Sequence, residues 1–200
     1  MTTTSFSPDI IGPLAMATGI AGFFALAFIL LFFSIGQPFG TLNDICIAIA
    51  AILSDVLACR LYPAQHAQAP LLSQLALISA LAGALVVVVG SVLVLSGLRG
   101  WFLAGLYMAA GNALIGLWLL GLNYSTLQSN AWPHSLAIMG LVSGAIMALG
   151  LAAVPGIFKG IDSMDSATWM IKYIGQAGAL GWLILYPIWC VLLGRMMLLK

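Results

Sequence analysis

Charged residues are scarce in this 200-residue chain: Asp, Lys and Arg together make up 6% of it, whereas soluble domains carry about 25% charged residues. Glutamate is absent, and all five acidic residues are aspartates. The formal net charge of +1 excludes the broad basic surface with which proteins neutralise nucleic-acid phosphates. Hydrophobic residues make up 63% of the chain. We therefore expect an integral, multi-pass membrane protein whose partner is the lipid bilayer and which binds no nucleic acid.

Six runs are apolar enough to cross a membrane. A hydrocarbon core of about 30 Å takes roughly 20 helical residues, because each residue rises about 1.5 Å. The predicted spans are residues 10–35, 41–61, 71–96, 101–122, 135–154 and 176–196. Residues 85–90 (LVVVVG) do not alternate in polarity as a β-barrel strand would. The prediction is therefore an all-α fold, with residues 1–200 forming a single six-helix transmembrane domain.

The chain opens with MTTTSFSPD, which contains no Lys or Arg. A secretory signal peptide begins with a basic region, so we expect the first apolar run to remain in the protein as a span.

The link before the sixth span carries a helical signal of its own. Asp165 and Ser166 are good N-cap residues, and the stretch up to residue 174 contains Trp169, Lys172 and Tyr173, which suit the headgroup region. We expect a short interfacial helix here, since three glycines follow and allow a bend. The alternative is a sixth span that begins near residue 166 and leans.

Basic residues do not orient the chain. Six crossings put both termini on one face, which we call the terminal face. Three basic residues belong to that face and three to the opposite one: Arg60, Arg195 and Lys200 against Arg99, Lys159 and Lys172. The positive-inside rule needs an excess on one side. The tie leaves the orientation open, and we adopt cytoplasmic termini as the expectation.

Small residues and one aromatic ridge mark the helix contacts. Helices in lipid associate through close packing of small residues, and Gly140 and Gly144 form a GxxxG pair. Phe24, Phe28 and Phe32 recur every four residues on one helical face. We expect the glycines to pack within the chain. A homo-oligomer or a membrane-protein partner, bound through the glycine pair or the phenylalanine ridge, is the alternative.

Asp55 is the most informative polar residue, because it lies within a predicted span. An Asp at a span centre costs roughly 2.5–3.5 kcal/mol on insertion scales, so such a residue normally faces the bundle interior and finds a partner. Asn112 in the fourth span is the expected partner, with Ser143 in the fifth as the next candidate. We interpret this interior polar cluster first as a structural clamp. A ligand or proton site, and a solvated residue near a helix end, are the alternatives.

The second span begins with Thr41-Leu-Asn-Asp44. This T-x-x-D spacing is typical of a capping box, in which both side chains satisfy free backbone amides at a helix N-terminus. Thr41 and Asp44 are therefore predicted to cap the helix.

Cys59, His66 and His134 are weak metal candidates. Zinc requires three or four ligands, and these residues could converge with Asp55 only through the fold. A bis-histidine haem needs histidines on facing helices, whereas His66 and His134 fall in predicted links. We expect no metal, and the sequence identifies no cofactor.

Three classes of function fit this reading. The first is a non-catalytic binding or assembly component, which holds a lipidic or apolar ligand or docks on a membrane complex. The alternative is a small-molecule transporter or a substrate-capturing transport component that uses Asp55 and Asn112. The third is a small membrane enzyme that uses Asp55 or Cys59. It is the least favoured, and no catalytic residue is assigned, because the chain offers no nucleophile elbow, HExxH or phosphate-binding loop in a fitting context.

Overall fold

The structure, a computed structural model, describes residues 8–199, so that Lys200 of the charge comparison lies outside the described residues. This part of the chain forms long helices joined by short links. They are α1 (Pro8–Ile35), α2 (Phe39–His66), α3 (Pro70–Leu95), α4 (Trp101–Ser129), α5 (His134–Phe158) and α6 (Met170–Leu198). All six are long and apolar enough to cross a membrane. The predicted all-α, six-helix fold is confirmed, and the chain is an integral membrane protein.

Two helices run beyond their predicted ends. α2 continues through Pro63 to His66, and α4 continues to Ser129, where Asn130 ends it in the left-handed conformation. The polar residues near the end of α4 suggested a link. They continue the helix instead, and the hydroxyls of Ser125 and Thr126 are satisfied within it because both donate to the carbonyl oxygen of Leu122.

The expected interfacial helix does not form as a separate element. Helical structure is continuous through α6, with π-helical turns at Met170–Gly175 and Gly181–Leu185. The alternative of a longer sixth span is therefore the one observed, although it begins at Met170. The second π-turn directly precedes Tyr186 and Pro187, which fits a proline that has no N–H to donate to the preceding turn. α5 contains a 3₁₀ stretch at Leu149–Ala153.

Sequential helices pack as antiparallel neighbours, and α6 returns to lie between α1 and α5. α4 lies at the centre of the bundle, since 67% of its most hydrophobic 18-residue stretch is buried. Trp118 and Leu119 of α4 are almost fully buried. This arrangement brings the starts of α2 and α4 close to the first half of α6.

Glycines allow the closest helix contacts, as the sequence predicts. A Cβ added to Gly111 of α4 would lie 2.5 Å from the carbonyl oxygen of Gly83 in α3. In the contact between α4 and α5, Gly140 faces the side chain of Asn123, and a Cβ on Gly144 would lie 2.6 Å from the carbonyl oxygen of Gly116. The GxxxG pair is buried in this contact within the chain.

The phenylalanine ridge divides along α1. Phe24 is 53% exposed, which fits contact with lipid. Phe28 stacks on Phe39 of α2 at a ring separation of 6.3 Å. Phe32 packs against Gly40, where a Cβ would lie 2.9 Å from its ring. Phe28 and Phe32 therefore pack against α2 within the bundle.

Candidate ligand cavity

A cavity of about 210 Å³ lies where α1, α2, α3, α4 and α6 meet, close to the start of α2. Its lining is mostly apolar and aromatic, and we call it the Asp44 cavity. It is lined by Ile29, Phe32, Gln37, Gly40, Asn43, Asp44, Ile47, Val94, Trp101, Gly105, Met108, Trp182 and Leu183. Polar side chains come from Gln37, Asn43 and Asp44, and the two tryptophans add indole N–H groups. Asp44 carries the only formal charge among these lining residues.

The start of α2 places these polar groups. A three-residue link turns the chain from α1 into α2, and Gly36 in it adopts φ +95°, a conformation that suits glycine. Gly40, Asn43 and Ile47 are spaced so that they share one helical face, and all three are buried. Asp44 adjoins that face and is half-buried. The second turn of α2 therefore presents an amide and a carboxylate to the cavity.

Asn43 has an unused hydrogen-bond acceptor. Its Nδ2 donates to Asp44 Oδ1 at 3.2 Å, while its Oδ1 is buried and has no hydrogen-bond partner within residues 8–199. The whole residue is 5% exposed. Gln37 is engaged differently, because its Oε1 accepts from the backbone N–H and the hydroxyl of Thr41, both at 3.3 Å.

These bonds correct the predicted capping box. α2 begins at Phe39, two residues before Thr41, and its N-cap residue, Pro38, makes no side-chain cap hydrogen bond. Gln37, which precedes the helix, accepts from the Thr41 amide instead. Asp44 accepts from Asn43 and lines the cavity. The T-x-x-D spacing misled because the helix starts half a turn early, which moves both residues into its interior.

A second cavity, of about 230 Å³, adjoins the first and shares Trp101, Gly105 and Trp182 with it. We call it the Lys172 cavity, after the charged residue in its lining. It is otherwise lined by Phe102, Leu106, Ala109, Ala153, Met164, Ile171, Gly175, Gln176 and Ala179. The two π-turns of α6 supply Lys172 to one cavity and Leu183 to the other, and π-turns are frequent at functional sites.

Two glycines keep these cavities open. A Cβ built on Gly105 or on Gly175 meets no atom within 4 Å. The other glycines of α4 differ, since a Cβ on Gly111, Gly116 or Gly121 would contact a neighbouring helix. Gly105 is exposed and lines both cavities, so a larger side chain there would extend into open space without disturbing a helix contact.

Asp55 lies in the second half of α2 and is half-buried, with its Oδ1 atom buried and without a hydrogen-bond partner within residues 8–199. Asn112 is 7% exposed, and its Nδ2 donates to the carbonyl oxygen of Met108 in its own helix. Ser143 is fully buried, and its hydroxyl points at the Met147 sulfur at 3.8 Å. No hydrogen bond joins the three predicted residues in the described part of the chain. Their shared role in one site stays a prediction.

The polar contact near Asp55 involves its chain neighbour. The hydroxyl of Tyr186 in α6 donates to Ser54 Oγ at 2.7 Å, and Ser54 donates to the carbonyl oxygen of Ala50. Tyr186 stacks on Trp189 at 6.0 Å. The sequence pointed towards α4 as the partner of this region, whereas the interhelical hydrogen bond runs to α6.

The weak metal candidates remain apart. No group of three or more potential metal ligands occurs among the residues that the structure describes. His66 belongs to the last turn of α2 rather than to a link, and its Nδ1 lies 3.1 Å from the Tyr62 hydroxyl and 3.2 Å from Ser73 Oγ. Cys59 and His134 are exposed on α2 and α5.

Sequence reasoning missed Gln37, Asn43, Trp101 and Trp182 as site residues. The signal available in the sequence was the adjacent polar pair Asn43 and Asp44 just inside a span. The capping-box interpretation explained Asp44 and so hid this signal.

No family model, no curated protein and no solved structure matches this chain.

Proposed function

We propose that the protein is a non-catalytic, membrane-embedded binding component that holds an amphiphilic ligand across the two adjoining cavities. Asn43 carries this proposal. Asn43 lines the Asp44 cavity, and its Oδ1 is a buried acceptor with no partner within residues 8–199. Leaving such a group unpaired costs about 1–3 kcal/mol, and buried polar groups are nearly always hydrogen-bonded. A ligand that donates to Asn43 removes this cost.

The position of the cavity favours an amphiphile. Asp44 lies five residues into α2, about 7.5 Å along the helix axis, which is near the membrane interface. Polar groups occur at this end, while Ile47, Met108 and Leu183 supply apolar lining. A molecule with a polar group at the interface and an apolar part within the bundle matches this distribution.

The size of the site supports the same proposal. Ligand pockets commonly measure roughly 300–1,000 Å³ and combine an apolar lining with a few polar groups. Each cavity alone is smaller, at about 210 and 230 Å³. They share three lining residues, and a ligand that occupied both would fill a volume within that range.

Native mass spectrometry of the protein, released from its membrane in mild detergent, tests the proposal. We expect an amphiphile to remain bound to the unmodified protein. Gly105→Leu, which fills the junction of the cavities, should reduce the bound fraction at least tenfold. Ala82→Leu, which adds similar bulk at an exposed position of α3, should not. Equal retention by all three proteins would overturn the proposal.

A transport component is the second candidate, because Asp55 places inside a span a buried carboxylate oxygen that has no hydrogen-bond partner among residues 8–199. Intramembrane acids often mark substrate or proton pathways. In this alternative Asn112 lines the same pathway as Asp55. Reconstituted vesicles should then accumulate the amphiphile that mass spectrometry identifies. Asp55→Asn should abolish that uptake while leaving the bound amphiphile in place, and unchanged uptake would eliminate this candidate.

A further inference from the structure

We infer that the Asp44 cavity accepts an ammonium group, so that the ligand is an amphiphile with a positively charged nitrogen. The inference rests on the proposed binding function and adds the chemical class of the polar group. Three independent features of the cavity lead to it: its charge, its free hydrogen-bonding capacity and its aromatic lining.

The charge of the cavity is one-sided. Asp44 is half-buried among mostly apolar residues, and no Lys, Arg or His shares the lining of this cavity. Burying a carboxylate without a partner is costly, and intramembrane acids are normally paired. A cationic ligand supplies the missing partner, whereas a phosphate or carboxylate placed here would meet a like charge.

The buried amide of Asn43 offers a free acceptor. One of its N–H groups donates to Asp44 Oδ1, while its Oδ1 atom has no hydrogen-bond partner within residues 8–199. This oxygen and the neighbouring carboxylate both require N–H or O–H groups from a ligand. A primary ammonium carries three such donors, and the hydrogen bonds would be charge-assisted.

The aromatic lining favours a cation as well. Phe32, Trp101 and Trp182 belong to three different helices and all line the cavity. Ring faces attract ammonium groups within about 6 Å, and tryptophan is the most effective of these residues. A neutral sugar head group could satisfy Asn43 but would leave the charge of Asp44 uncompensated.

The experiment compares probes that share one chain length. The protein in phosphatidylglycerol nanodiscs is titrated with dodecylammonium, dodecyl maltoside or dodecyl sulfate, and binding is followed by calorimetry after the heat of binding to empty nanodiscs of the same lipid has been subtracted. We expect dodecylammonium to bind at least tenfold more tightly than the other two. Asp44→Asn should remove that preference while still binding dodecyl maltoside, which shows that the variant is folded. Asp165→Asn removes the same charge from the exposed link before α6 and should change nothing.

The outcomes separate this inference from the proposed function. If the three probes bind equally, or if Asp44→Asn keeps the preference for dodecylammonium, the ammonium inference is overturned and amphiphile binding stands. If no probe binds, or if Gly105→Leu binds all of them unchanged, the binding function itself is overturned.

Two sources of the ammonium group can be distinguished in the same assay. An aminophospholipid is the source if replacing phosphatidylglycerol by phosphatidylethanolamine weakens dodecylammonium binding to the unmodified protein more than to Asp44→Asn, because the loss of lipid charge affects both proteins alike. A free organic cation is the source if ethylammonium chloride competes at constant ionic strength. Competition by either one supports the inference, and Lys172 in the adjoining cavity is placed to favour the phosphate of the lipid.

Discussion

The carboxylate of Asp162 caps the N-terminus of α4 by accepting a hydrogen bond from the backbone N–H of Leu103, 59 residues away in sequence, at 3.0 Å. Its other oxygen accepts from the Gly100 amide at 2.9 Å. A helix N-terminus leaves free N–H groups and favours negative charge. Asp162 thereby fixes the link between α5 and α6 above the start of α4. Trp101, which lines both cavities, is the first residue of that helix.

Replacing Asp162 by alanine should lower the stability of the protein by about 1 kcal/mol, because removal of an N-cap costs about 0.5–2 kcal/mol. Asp162→Asn should lose less, since asparagine also caps well but lacks the charge. Thermal unfolding in detergent measures both effects. Asp165→Ala, in the same link, serves as the control and should leave the midpoint unchanged. A loss as large in the control as in Asp162→Ala would contradict the capping role.

The buried hydrogen bond between Tyr186 and Ser54 should contribute measurably to the contact between α2 and α6. Interhelical hydrogen bonds in membranes average about 0.6 kcal/mol, and a double-mutant cycle with Tyr186→Phe and Ser54→Ala should give a coupling of that size. The two single substitutions should differ in how much they lower stability. Ser54→Ala leaves the tyrosine hydroxyl without this partner, whereas Tyr186→Phe leaves Ser54 bonded to Ala50. Additive effects in the cycle would show that the bond contributes nothing.

Two glycines of α4 should respond oppositely to the same substitution. Gly111→Ala puts a Cβ 2.5 Å from the carbonyl oxygen of Gly83, so α3 and α4 must separate and stability should fall by about 1–3 kcal/mol. Gly105→Ala meets open space and should raise stability by up to about 1 kcal/mol, because alanine is the better helix former. Chemical unfolding of the two variants side by side tests this. Equal losses would mean that the contact between α3 and α4 adapts without cost.

The sequence contained enough information for the fold, because a hydrophobic run of about 20 residues has few alternatives in a bilayer. The contacts of Gly140 and Gly144 within the chain could also be predicted from the sequence, since small residues allow helices to approach. The candidate site could not be predicted in this way. A capping box at Thr41 and Asp44 satisfied every local rule, whereas the helix begins at Phe39, after the turn that contains Gly36, and Phe32 packs on Gly40.

The hydrogen-bond partners of the intramembrane polar residues were even harder to predict from the sequence. Helical spacing predicts which residues share a face of one helix, but it does not tell which other helix that face meets. Ser54 could be assigned a depth from the sequence, yet its bond to Tyr186 depends on the return of α6 beside α1 and α5. The cavities have the same origin, because residues from five helices line the first of them.

Replacing Asp55 tests whether its carboxylate is a structural clamp or a functional group that is retained at the expense of stability. Its Oδ1 atom is buried without a hydrogen-bond partner within residues 8–199, so Asp55→Leu should raise stability by about 1 kcal/mol or more. Equilibrium unfolding in detergent measures the change, with Val56→Leu on the exposed face of α2 as a control that should have little effect. If Asp55→Leu instead lowers stability, the carboxylate has a partner on which the bundle depends, and the clamp with Asn112 is restored. A gain in stability would leave function as the reason for an acid at this depth.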